Sequence, residues 1–167
     1  MILEDGGGPG LRAANGMDWS FVSDRVMGGV SAGHLTRRSI DGRQALHLTG
    51  TVSLANNGGF VQMALDLAAR GDVLDASRFD GLAIVLRGNG ESYNIHLRSP
   101  DMTRVWQSWR VSVNAPEQWT ETRIAFADFV PYRTDLPVNP ARLSRIGLVA
   151  IGREMQADLA LARLELV

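Results

Sequence analysis

The sequence predicts an all-β protein, a two-sheet sandwich of jelly-roll type, and three observations lead there. Apolar and polar residues alternate with a period of two through most of the chain after residue 30, helical periodicity has little room to develop, and turns rich in glycine and proline recur between the apolar segments. At 167 residues the chain fits one domain. A domain of this size buries about 68–70% of the surface its unfolded chain exposes and needs no staple.

In chain order, residues 1–16 contain Gly6-Gly7-Gly8-Pro9-Gly10 and lack the basic and apolar regions of a secretory signal. They are expected to form a flexible leader to a sandwich domain spanning 17–167. His34 to Ile40 and Arg43 to Thr49 read as a hairpin, because Asp41-Gly42 suits a two-residue type I′ turn, with Leu46 and Leu48 pointing inward. Phe60 to Leu67 is the next strand. The polar stretch Ala68 to Ser77 is a connection with room for a short helical turn.

Leu82 to Arg87 and Ser92 to Arg98 read as a second hairpin through Gly88-Asn89-Gly90-Glu91. Alternation puts Tyr93, Ile95 and Leu97 on one face and Asn94, His96 and Arg98 on the other. Val105 to Val113, Trp119 to Phe126, Ile146 to Ile151 and Leu159 to Val167 complete the strand set. Trp106 and Trp109 fall on opposite faces of their strand, so at most one belongs to the core.

Composition closes off much chemistry. The net charge of -1 supplies no sequence-wide basic field for a nucleic acid, and no apolar run is long enough to insert in a membrane. All the basic residues are arginine. Without lysine there is no Schiff base and no P-loop lysine; without cysteine there is no thiol nucleophile, disulfide or thiolate metal site. The three histidines are isolated, and neither a metal-site motif nor a dinucleotide fingerprint is present, although backbone-oxygen calcium ligands leave no motif to find. No catalytic residue, metal or cofactor is expected, and the expected location is the cytoplasm.

Two glycine-rich segments stand out. Asp24-Arg25-Val26-Met27-Gly28-Gly29-Val30-Ser31 and Asn56-Asn57-Gly58-Gly59-Phe60 interrupt strand-like sequence with paired glycines, which suggests two shaped loops at one end of the β-structure. Gly28, Gly29, Ser31, Gly58 and Gly59 are the structural loop candidates. Asp24 and Arg25 either form an ion pair that fixes the loop or present charge to a partner. Gly29-Val30-Ser31-Ala32-Gly33 matches the pattern of a serine nucleophile elbow, with Asp80 and His96 following in hydrolase order. An elbow joins a strand to a helix, however, and here a strand follows, so Ser31 reads as a loop hydroxyl bonding local backbone. Arg87, Asn94, His96 and Arg98, taken as one polar face, form the leading binding surface, with Asp24, Arg25 and Asn57 beside it; two arginines there suit carboxylate, phosphate or a protein chain.

With Trp19, Asp24 to Ser31, Asn57 to Phe60, Asp80-Gly81, Arg87-Gly88, Tyr93 and Trp119 in this order, the chain resembles the complex I intermediate-associated protein family over Trp19 to Val167. The resemblance implies a galactose-binding-like β-sandwich and a chaperone-like role in assembly of NADH:ubiquinone oxidoreductase, with no catalytic residues to carry over. Three departures are visible. Asn89 stands where aspartate is usual, Ala125 replaces a proline, and Ala157-Asp158-Leu159 occupies the place of Gly-Pro-Phe. The expected function is a non-catalytic protein-interaction module for a client such as a complex I assembly intermediate, in a free-standing bacterial-looking chain. A carbohydrate-binding module is the alternative, and a Ser31 hydrolase a remote third.

Overall fold

Asp41 and Gly42 both adopt left-handed backbone, with φ of 44° and 77°, and so reverse the chain in two residues between strands β3 (Ala32–Ile40) and β4 (Arg43–Val52). The predicted hairpin is present, and Leu46 and Leu48 are fully buried. In the computed structural model, which describes residues 1–167, the remaining strands are β1 (Ile2–Glu4), β2 (Ser20–Ser23), β5 (Phe60–Asp66), β6 (Gly81–Gly88), β7 (Ser92–Arg98), β8 (Ser108–Asn114), β9 (Thr120–Ala125), β10 (Val130–Tyr132), β11 (Arg145–Ile151) and β12 (Met155–Leu166). Every pairing is antiparallel.

The strands form two sheets, as the all-β sandwich expectation requires. The first runs β3-β4-β12-β6-β9, with β1 added against β12; the second runs β10-β8-β7-β11-β5-β2. Their inner faces interdigitate in one core, where Leu48, Leu86 and Leu161 of the first sheet join Met63, Tyr93, Leu97 and Trp109 of the second. Trp19 closes this core from the segment before β2. The first sheet also carries a small apolar cluster on its outer face, Ala45, Val85, Ala160 and Ala162 under Ile40 and Trp119.

Three expectations need correction. Leu82 to Arg87 and Ser92 to Arg98 are strands but not a hairpin: β6 pairs with β12 and β9, whereas β7 pairs with β11 and β8. The Gly88–Glu91 connection carries the chain from one sheet to the other, held by Gly88 N–H to Pro116 O and Gly90 N–H to Ala115 O. Residues 1–16 are not a flexible leader. Leu3 is buried on β1, and the Glu4 carboxylate beneath it receives the Arg37 guanidinium at 2.7 and 3.1 Å, Trp19 Nε1–H at 2.9 Å and Gly6 N–H at 2.8 Å. With side chains only 7% and 1% exposed, the Arg37–Glu4 pair satisfies both charges out of water. Lastly, Ala68 to Ser77 contains no helical turn; Leu74 forms a single bridge with Leu143. No helix in the structure is long and apolar enough to cross a membrane.

Candidate functional site

The two glycine-rich segments meet around one carboxylate. The chain leaves β2 in a short 3-10 turn, Asp24–Met27, in which the Ser23 hydroxyl accepts the Arg25 N–H, and Gly28 ends it at φ 88°. Asp24, with no exposed surface, then accepts four hydrogen bonds: from Ser31 N–H at 2.9 Å, Ser31 Oγ–H at 2.5 Å, Gly59 N–H at 2.6 Å and Phe60 N–H at 3.2 Å. Burial pushes its pKa up, but these donors outweigh burial and hold the carboxyl below the ordinary carboxylate value. Gly29 and Gly58 lie so close to the Asp24 carboxyl that a Cβ on either would collide with it. Gly59 needs its φ of 144° to bring the second loop in. The paired glycines are therefore explained by one buried anion, a partner that the spacing alone does not reveal.

Arg25 makes no ion pair with Asp24. Its Nε–H donates to Ser31 O at 3.0 Å while the side chain remains exposed. Asn57 is also exposed, at φ 57°. Between them the clasped loops present Val26, Met27, Val30 and Leu54 to solvent, with Val26 73% exposed. Ser31 Oγ, besides donating to Asp24, accepts from Ser53 N–H at 2.9 Å. None of the histidines is hydrogen-bonded to Ser31: His47 pairs with Asp158, His96 lies on the second sheet, and His34 is exposed on β3. The elbow-like pattern thus lacks a base, and Ser31 serves as the local hydroxyl expected of it.

The polar face is real but smaller than expected. Asn94, His96 and Arg98 line the outer surface of β7, while Arg87 lies on the outer surface of the first sheet, across the whole core, in ion contact with Asp41 and 6.0 Å from the Trp119 ring. The strand-to-strand jump between sheets separates them. In place of Arg87 the structure brings in Arg110 and Tyr132, which the sequence reading did not single out. Register places Arg110 directly between His96 of β7 and Val130 of β10. The Arg110 guanidinium lies 3.7 Å over the Tyr132 ring, and the His96 ring is 6.1 Å from the same tyrosine. Alternation within Ser108–Asn114 was the available signal for Arg110 and Ser112; the β10 contribution had none.

Of these, Asn94, Arg110 and Tyr132 line a groove of about 530 Å³ on the outer face, together with Ser112, Asp128, Ile151 and Arg153 among others, and His96 and Arg98 do not line it. It reaches the clasped loops: Gly152, at its rim, donates its N–H to Gly59 O. Burial, then Arg110 and Arg98, lowers the His96 pKa from 6.5 to about 4, so the imidazole is neutral at physiological pH, and its Nε2 is buried without a partner. Arg98 is held below its ordinary pKa by burial and by Arg145, and its donors are taken by the carbonyls of Arg104, Val105 and Gln107. Of the two tryptophans, Trp109 is buried and donates Nε1–H to Leu136 O, whereas Trp106 is half exposed.

Solved structures share this architecture. The family 11 carbohydrate-binding module of the cellulosomal cellulase Lic26A-Cel5E of Clostridium thermocellum matches at TM-score 0.76 and 13% identity, covering 100% of this chain and 93% of the other. A family 11 module from the same organism in complex with a β-1,3-1,4-mixed-linked tetrasaccharide matches at TM-score 0.74 and 14% identity, covering 99% and 94%. The family 30 module of the cellulosomal cellulase Cel9D-Cel44B of that organism gives 0.66 and 16%, covering 98% and 95%. At such identities the likeness establishes the β-sandwich jelly roll. A search of the curated proteins gives no match. The sequence profile of the Complex I intermediate-associated protein 30 family, by contrast, matches residues 12–162, and with most of its length covered, including both loops around Asp24, the chain belongs to that family.

Proposed function

We propose that this protein is a non-catalytic interaction module that holds a protein client, an assembly intermediate of complex I, on the clasped-loop end of its sandwich. The observation that carries the reading is the exposed apolar set Val26, Met27, Val30 and Leu54 on loops fixed by the buried Asp24 carboxylate. Apolar side chains held out of the core on a rigid base bind at low ordering cost, and a polar surround of Arg25 and Asn57 suits an interface rim. Family membership supports the class of client, and the lack of a base at Ser31 supports a binding role over hydrolysis. Asn94, His96 and Arg98 form the flank of the same surface.

Affinity capture from the native host in mild detergent, read by mass spectrometry, tests this. Wild-type protein is expected to enrich complex I subunits, and a Val26→Ser, Met27→Ser variant of equal thermal midpoint to lose most of them. Equal recovery by the variant would overturn the loop-end assignment.

A second reading, carbohydrate binding, is favoured by one specific observation: the groove beside Tyr132, Asn94 and Arg110 lies on a sandwich similar to carbohydrate-binding modules. Saturable binding of a mixed-linked glucan oligosaccharide, with no membrane-complex subunit captured, would establish this reading in place of the first.

A further inference from the structure

The outer face of the first sheet holds a small cup that the client surface does not use. Register aligns His47 of β4, Ala160 of β12 and Arg87 of β6 in one row across three strands. Two interstrand spacings, about 10 Å, separate the outer two backbones, and the alanine between them has only a methyl group to fill the gap. The result is a cavity of about 150 Å³, floored by Ala160 and Gly88 and walled by His47, Arg87, Asp158 and, from β3, Arg38.

Each carboxylate at the cup has its cation, and one guanidinium is left over. Asp158 holds His47 Nε2 at 2.7 Å, and Asp41 of the β3–β4 turn is in ion contact with Arg87. Arg38, exposed on the same wall, is in ion contact with neither carboxylate. The donors come from three strands, β3, β4 and β6, around a floor of small residues. A carboxylate has two oxygens to offer such a set; a phosphate has three, and guanidinium groups match phosphate oxygens with paired N–H bonds.

From this arrangement we infer that the cup binds a phosphate group, as inorganic phosphate or a small phosphate monoester. Arg38 and Arg87 each donate to one phosphate oxygen. By holding Nε2, Asp158 leaves Nδ1 as the free ring nitrogen of His47, and Nδ1 meets a third oxygen through one shared proton, carried by the imidazolium or by the phosphate hydroxyl. The cup lies across the core from the groove, and the inference depends on neither reading of the client surface.

The test titrates the full chain with inorganic phosphate, ethyl phosphate and acetate at constant pH and ionic strength, following the His47 ring resonances. The phosphates are expected to shift them saturably, the tighter of the two naming the source, and acetate to leave them in place. Arg38→Gln, at an exposed position where the thermal midpoint should hold, should weaken binding about tenfold. Ala160→Val keeps every charge but fills the floor with a residue that suits a strand, and should abolish binding. Equal shifts with acetate, no saturable shift with either phosphate, or an unchanged affinity in either variant would each overturn the proposal.

Discussion

The loop end buries a charged group and the groove leaves one half-exposed, and the two differ in what answers the charge. At the loop end Asp24 has no exposed surface and every oxygen is answered from within the chain, by Ser31, Gly59 and Phe60. In the groove Arg110 has a ring beneath it but no counterion, and its cross-strand neighbour His96 has a buried Nε2 without a partner. A satisfied buried charge is scaffold, since removing it strands its partners. A half-exposed charge without a counterion stays solvated in the free protein, contributes little to stability and is open to a partner. The difference separates what builds the surface from what reads a partner.

The largest break in that comparison is Asp24→Ala. It leaves the Ser31, Gly59 and Phe60 amides without their acceptor, each orphaned donor costing about 1–3 kcal/mol, so a total loss of about 3–5 kcal/mol is expected. Arg110→Gln, by contrast, should change stability by less than about 0.5 kcal/mol. Denaturant midpoints of the two variants measure this directly. If both shift alike, the division into scaffold and reader fails.

Acid sharpens it further. Unfolded, His96 binds its proton near 6.5; folded, only near 4. Between those values the unfolded chain holds more protons, so stability falls as pH drops from about 6.5 to 4, by about 3 kcal/mol in all. The Asp24 contribution is present above 3.8 and is lost below it as pH falls through the lowered folded value. The two sites therefore act in separate windows. In His96→Asn the upper window should be flat, and a slope that persists there would assign it to another group.

Smaller effects distinguish the glycines. At Gly29 a methyl group meets the Asp24 carboxyl, and Gly29→Ala should cost about 1–3 kcal/mol. At Gly28 nothing lies within reach, and only the positive φ opposes a side chain, so Gly28→Ala should cost about 1 kcal/mol. Equal midpoints would mean that the carboxylate yields to the added methyl.

What the sequence made legible was local. The Asp41-Gly42 reversal, the burial of Leu46 and Leu48, the opposed faces of Tyr93 and Asn94, and the need for glycine at 28 and 59 all follow from a turn type or a period of two. What it hid was pairing. Alternation assigns a side chain to a face but not a strand to a neighbour, so β6 and β7, four residues apart on the page, read as partners when they belong to different sheets. That single crossover carried Arg87 away from Asn94, His96 and Arg98. Likewise Glu4 gained its meaning from Arg37 and Trp19, and Arg110 from Tyr132 on the short strand β10, none of which is adjacent in sequence.

A single client surface running from the clasped loops into the groove is protected as one unit when the client binds, and hydrogen–deuterium exchange of the captured complex measures that protection. The account predicts slowed exchange on client binding at Arg25 to Val30, Leu54 to Gly59 and Gly152, extending to β8 and β10 around Arg110 and Tyr132. Protection confined instead to the outer face of the first sheet, around Arg87 and Trp119, with the loops and the groove exchanging as in the free protein, would contradict it.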